Sequence, residues 1–301
     1  MKLYLAGLFT NGFGNSRYAD RLTPAEEAGR AGVKYYLESY HYIHQQKYVE
    51  DIRREGRKVF LDSGAFSAFT KGVRVDLPKY CRYIQQNIDI IECASVLDAI
   101  GDAQGTYENQ CAMERLGVAP LPCFHYGEDE RYLEYYVANY EYITLGGMVP
   151  ISTPQLKHWL DRLWEKYLTD GAGRPRLKVH GFGLTVINLM ERYPWYSVDS
   201  SSWVQIAANG NILIPDFGAL AVSTSSPARK QHNRHFDTIP EPQREAIVQM
   251  LQEKGFEIDR VKEEYLARWA YNCWAFTHIN ETLLDGKSDI YQCSQPELFD
   301  D

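Results

Sequence analysis

No two of the six cysteines stand in a Cys-x-Cys or Cys-x-x-Cys pair, and no apolar stretch is longer than a strand. The first absence leaves no zinc knuckle that spacing alone defines. The second leaves no candidate membrane span. The opening MKLYLAGLFTNG is too short in its apolar part for a signal peptide. Together these predict a soluble, cytoplasmic protein with reduced cysteines. There is also no excess of positive charge: 32 Lys and Arg against 40 Asp and Glu give a net −8. Such a surface repels polyanions at long range, so a nucleic-acid partner must meet a local basic patch. Gly181-Phe182-Gly183-Leu184-Thr185 lacks full Gly-x-Gly-x-x-Gly spacing, which argues against a dinucleotide site. No internal repeat or low-complexity segment is present.

What is present is alternation. Short apolar runs at Leu3–Leu8, Lys34–Leu37, Val59–Leu61, Ile90–Leu97, Pro120–Phe124, Tyr142–Leu145, Leu177–His180, Trp195–Val198 and Ile212–Ile214 read as strands covered on both faces. Helix signals separate them. Thr23-Pro24-Ala25-Glu26 has an N-cap, an N1 proline and a capping-box glutamate. Ser152-Thr153-Pro154 opens a helix to about Tyr167, and Gln243–Lys254 ends at Gly255. Alternating strands and helices predict parallel β/α units. The expected fold is α/β, a closed (β/α)8 TIM-type barrel over residues 1–285, with a polar tail over 286–301. An open doubly wound sheet is the alternative.

The strand ends carry the chemistry. Val59-Phe60-Leu61 runs into Asp62-Ser63-Gly64-Ala65-Phe66, Ser95-Val96-Leu97 into Asp98, and Pro122-Cys123-Phe124 into His125-Tyr126-Gly127. Thr144-Leu145 runs into Gly146-Gly147-Met148, Val179-His180 into Gly181, and Tyr196-Ser197-Val198 into Asp199. In a parallel barrel all these ends open on one face, where active sites lie. Asp62, Asp98, His125 and Asp199 are therefore expected to converge. Paired carboxylates suit a nucleophile and a general acid/base, and retaining glycosyl transfer needs such a pair. Phe66 and His180 offer flat faces on which a purine would stack. The plain alternatives are strand-end aspartates acting as N-caps, a structural His125, and cysteines acting as small buried hydrophobes. A metal set from His232, His235 and Cys273 is disfavoured.

In these residues the sequence resembles the tRNA-guanine transglycosylase superfamily, (β/α)8 enzymes that exchange a guanine for a 7-deazaguanine. The resemblance runs in order from about Val59 to Trp203. Asp62-Ser63-Gly64-Ala65-Phe66 resembles the motif carrying the general acid/base (Asp62) and a stacking aromatic (Phe66), with Ser63 at the base. Asp98 and His125 stand where the family contacts the base, and Gly146-Gly147-Met148 where its backbone reads the base edge. His180-Gly181 resembles the strand end that covers the other face, and Asp199 the nucleophile. Two departures point away from tRNA. Ser200-Ser201-Ser202-Trp203 follows Asp199, and the family's zinc-binding cysteine cluster is missing. The chain looks more like the phage-encoded branch that inserts bases such as preQ0 into DNA.

The resemblance implies a base-exchanging glycosyltransferase in the cytoplasm, the host's if phage-encoded. Its partners would be DNA and a free 7-deazaguanine base, with no cofactor, no zinc and no membrane. Acting on tRNA, a nucleoside or glycoside hydrolase on the same barrel, and a non-catalytic purine-binding module are the rival readings. Arg229, Lys230 and Arg234 form the leading basic run for a phosphate backbone, and no acid interrupts them. Arg174, Arg176 and Lys178, and Arg53, Arg54, Arg57 and Lys58, form two others. Oligomeric state and sequence context are left open.

Overall fold

The computed structural model describes residues 1–215, 217–284, 290 and 291. Eight strands form one parallel, curled sheet: β1 (Lys2–Ala6), β2 (Tyr36–Ser39), β3 (Val59–Asp62), β4 (Ile91–Ala94), β5 (Cys123–His125), β6 (Tyr142–Gly146), β7 (Lys178–Gly181) and β8 (Ser197–Ser200). Their order is β4-β3-β2-β1-β8-β7-β6-β5. The pairing of β1 with β8 is the order of a TIM-like fold and removes the doubly wound alternative. The circuit is incomplete between β4 and β5. There the ladder shrinks to one parallel bridge, Ser95 to Leu121, with Val96 N–H donating to Leu121 O at 2.9 Å and Leu121 N–H to Ala94 O at 2.8 Å.

Local chemistry explains the elements. Thr23 accepts from Glu26 N–H while Glu26 accepts from Thr23 N–H, the expected capping box, and Pro24–Ala31 follows as helix. Thr153–Leu163 is helical and continues as a single π turn, Trp164–Leu168. Glu241–Glu253 stops before Gly255. Several expectations shift: β4 ends at Ala94 rather than Leu97, β5 begins at Cys123 rather than Pro120, and β8 at Ser197 rather than Trp195. The second strand begins two residues late, because Lys34 and Tyr35 precede the ladder, although Tyr35 O already accepts from Leu5 N–H. Ile212–Ile214 lies in Asn211–Ile214, but it pairs antiparallel with Gly218–Ala221 outside the main sheet. That partner strand, Gly-Ala-Leu-Ala, has too few apolar residues to show in the sequence.

Alternation along each strand sorts residues in and out. Tyr4, Leu37 and Phe60 form a small cluster of their own inside the curled sheet, apart from the large core between sheet and helices. At the amino end, Lys2 pairs with Glu92 at 2.5 Å, and Tyr4 OH donates to the same carboxylate at 2.9 Å. The amino end is thus filled by polar side chains, and the carboxyl end is left to the loops. Burial pushes Glu38 up to about 7, opposed by three donors from the β1 loop: Thr10 Oγ, Phe9 N–H and Thr10 N–H. It ties that loop to β2. The expected tail over 286–301 lies outside the described residues, apart from Ile290 and Tyr291. Tyr291 is buried, with its ring stacked on Tyr193 and its hydroxyl on Asp161 at 3.0 Å.

Candidate active site

The parallel ladder puts Asp62 and Asp199 at the same end of the sheet. Asp62 closes β3 opposite Ser39, and Asp199 lies on β8 opposite Tyr4 of β1. Asp98 follows β4, and His125 closes β5. Burial, then the charges of Asp98 and Asp199, push Asp62 up to about 7, against a hydrogen bond from Gly64 N–H at 3.0 Å that pulls it down. Asp62 therefore stands within electrostatic reach of both Asp98 and Asp199 at this end of the sheet.

The turn after Asp62 requires its glycine. Gly64 has φ +74°, and a Cβ there would fall 2.5 Å from both His41 Cβ and Ser39 Oγ. Gly64→Ala should therefore destabilise the fold by roughly 1–3 kcal/mol and shift the N–H that holds Asp62. Urea unfolding checks this. Ser63 is committed to the same turn: its N–H donates to Ser95 Oγ at 3.0 Å, and its own Oγ accepts from Ala65 N–H. Its side chain is fully buried. Phe66 is 66% exposed, with Phe69 of the same helix, Ala65–Thr70, at 63%.

His180 also departs from expectation. Its imidazole is fully buried, with Phe60 and Phe182 ring centroids at 4.5 and 4.6 Å, so it presents no face to a purine. It instead supports Asp199. Burial holds His180 below its usual value, hence neutral, despite the nearby carboxylate. Asp199 accepts at 3.3 Å from Nε2, which fixes the tautomer; Nδ1 then accepts from Ser197 Oγ at 2.7 Å. Tyr142 OH completes the chain on Ser197 Oγ, also at 2.7 Å. Asp199 Oδ1 takes a second donor, Gly183 N–H, at 2.8 Å. Both bonds fall on Oδ1, which leaves Oδ2 without a donor among the described residues. Ser197 and Tyr142 were not singled out in the sequence. Their only signal was period-two placement on the inner face of β8 and β6.

The remaining predicted residues fall as follows. His125 Nδ1 meets Glu128 Oε1 at 3.0 Å, and Glu128 Oε2 accepts His125 N–H at 2.8 Å. Burial opposes a charged imidazole, but Cys123, Asp98 and Glu128 outweigh it and raise His125 above its usual value. Gly146 lies against that ring: a Cβ would come 2.8 Å from His125 Cδ2. Gly147 has φ +70° and follows β6. Met148 and Gly181 are buried and in contact, a Cβ on Gly181 standing 3.4 Å from Met148 Cε. Asp98, Cys123 and His125 bring one ligand atom each to within 4.8 Å of one another. His232, His235 and Cys273 form no such group: His235 Nε2 bonds Ser223 O, and Cys273 is buried in Tyr265–Ile279.

The basic runs are mostly elsewhere. Lys58 immediately precedes β3 and Lys178 begins β7, so those two runs emerge at the amino end, opposite the carboxylates. Arg53 is paired with Asp89 at 2.5 Å, and Arg54 with Asp51. Arg229 is not free either, with Asp237 at 3.5 Å; the acid lies just beyond the run that looked unopposed. Lys230 is exposed, and Arg234 lines a cavity of about 610 Å³ with Arg268, Asn209 and Ser225. None of the three carboxylates borders that cavity.

The fold defines an α/β, TIM-like protein with Asp62, Asp98, His125 and Asp199 at the carboxyl end of its sheet. No protein-family model matches the chain, and no curated protein matches it. No helix among the described residues is long and apolar enough to cross a membrane.

Proposed function

We propose that this protein is a glycosyltransferase that exchanges guanine in DNA for a 7-deazaguanine through a covalent Asp199–sugar intermediate, with the curled sheet acting as a (β/α)8 barrel. The observation that carries the reading is Asp62, a carboxyl pushed up to about 7 by burial and by two facing carboxylates. A carboxyl able to hold a proton near neutrality, beside a second carboxyl that can act as nucleophile, is what acid-assisted nucleophilic displacement uses.

Asp199 Oδ2 attacks the sugar C1′ and forms the C1′–O bond as the C1′–N bond to guanine breaks. The departing base takes the proton of Asp62. The incoming 7-deazaguanine then gives its N9 proton to Asp62, and its N9 attacks C1′, releasing Asp199. Two inversions give retention, and Asp62 ends protonated as it began. His180 holds Asp199 oriented throughout. Asp98 accepts from the N1–H and amino edge of guanine, a pattern adenine lacks. Exposed Phe66 offers a stacking face to a base taken out of the helix. DNA rather than tRNA rests on Ser200-Ser201-Ser202-Trp203 after the nucleophile and on the missing cysteine cluster.

The test is incubation with labelled guanine, a panel of 7-deazaguanines, and DNA and tRNA in parallel. Label entering DNA supports the reading. Label entering tRNA alone moves the substrate, and release of free sugar with no incorporation replaces exchange by hydrolysis. Phe66→Ala should leave stability within about 0.5 kcal/mol, since the ring is exposed. It should weaken single-stranded DNA binding by about 1–3 kcal/mol. Fluorescence anisotropy beside thermal unfolding reads both.

A further inference from the structure

We propose that Asp98, Cys123 and His125 form a binding site for one zinc-like divalent cation, whose occupancy excludes a base from Asp98. Two facts of topology assemble it. Cys123 and His125 alternate on β5 and so project from the same face. The bridge that joins Ser95 to Leu121 sets β4 beside β5 in register, bringing Asp98, three residues beyond Ser95, next to Cys123, two beyond Leu121.

The distances match an ion. His125 Nε2 lies 3.4 Å from Cys123 Sγ and 3.6 Å from Asp98 Oδ2. A tetrahedral zinc with Zn–S of about 2.3 Å and Zn–N or Zn–O of about 2.0–2.1 Å sets its ligand atoms about 3.3–3.6 Å apart. The two spacings from His125 already match, and all three ligand atoms lie within 4.8 Å of one another. Glu128 holds His125 through Nδ1 and the backbone N–H, which points Nε2 at the group, as carboxylates behind metal-binding histidines do. Asp98 Oδ1 is buried and without a partner, an unmatched acceptor that a cation would compensate. Gly146 keeps the space open, for a Cβ there would lie 3.0 Å from Cys123 Sγ. One sulfur, one nitrogen and one carboxylate oxygen favour zinc or cobalt over magnesium or calcium. Three protein ligands leave a fourth position for water. Binding releases the thiol proton and any proton on Nε2 to solvent.

The inference goes beyond base exchange and is tested apart from it. The full-length protein, stripped with chelator, is titrated with Co²⁺ and then Zn²⁺. One Co²⁺ per chain is expected, with the visible absorption of a four-coordinate ion and a sulfur-to-cobalt charge-transfer band, both erased by Zn²⁺. Cys123→Ser should abolish the charge-transfer band, and Glu128→Gln should weaken Zn²⁺ binding about 10- to 100-fold. Asp199→Asn should bind the ion as the unaltered protein does, so a failure of the exchange reading leaves this result standing. Zn²⁺ should also compete with guanine for the protein. A six-coordinate cobalt spectrum without a charge-transfer band, or a band that survives in folded Cys123→Ser, overturns the site. Glu128→Gln with undiminished affinity removes its orienting role and counts against it equally.

Discussion

Asp199→Asn is expected to lower base exchange by about 10⁴-fold or more while leaving a folded protein. Asparagine keeps the shape and still accepts from Gly183 N–H through its oxygen, the bond now 2.8 Å long. It cannot form the C1′–O ester, so the route through a covalent intermediate closes. Denatured unaltered protein, trapped with DNA and guanine withheld, should carry a nucleic-acid adduct that the variant lacks. Exchange persisting near its original rate in the variant would remove Asp199 from the role of nucleophile. The buried histidine sharpens the test. His180→Phe retains a ring between Phe60 and Phe182 but takes the Nε2–H donor from Asp199, so kcat should fall with KM nearly unchanged.

Asp62→Asn has the second largest expected effect, a loss of about 10²–10⁴-fold, together with a change in stability of opposite sense. The folded-state value of about 7 stands above the ordinary 3.8. A carboxyl raised in this way contributes its stability fully below about pH 4 and loses it as the pH climbs through 7. At pH 8 the buried, ionised Asp62 costs the fold up to about 4 kcal/mol. The asparagine variant should therefore be more stable than the unaltered protein at pH 8, by a few kcal/mol. The gain should vanish toward pH 4. In parallel, kcat/KM for the nucleic acid should decline above about pH 7 in the unaltered protein as the acid form is lost. That decline should be absent in the residual activity of the variant. An inactive variant with no gain at high pH would mean that Asp62 is structural, and the proton-transfer role would go with it.

The cost at Asp62 follows from its burial and its neighbours rather than from the residue. An aspartate at a strand end is an ordinary N-cap in isolation, and local sequence alone, without the resemblance, does not tell Asp62, Asp98 and Asp199 apart. The fold distinguishes them. Asp62 is pushed up by burial and then by the charges of Asp98 and Asp199, Asp98 is left with an unpartnered Oδ1, and Asp199 is held by His180 and a backbone amide. The same separation explains Ser63 and His180, both read from the sequence as ligand contacts. Each is spent on holding a catalytic candidate, Ser63 in the turn beside Asp62 and His180 under Asp199.

Read alone, the sequence located nine strand segments, eight of which form the parallel sheet, the capping box at Thr23 and the small or polar residues that follow several of the strands. All of these are local: a run of apolar residues, a turn glycine and an N-cap act within a few positions of themselves. The tertiary structure decided the order with β1 against β8, the single bridge joining β4 to β5, and the chain from Tyr142 through Ser197 and His180 to Asp199. It also decided the meeting of Asp98 with Cys123 and His125, and the ion pairs that occupy Arg53 and Arg229. Each of these joins groups brought together by packing or strand register, so no local propensity encodes it.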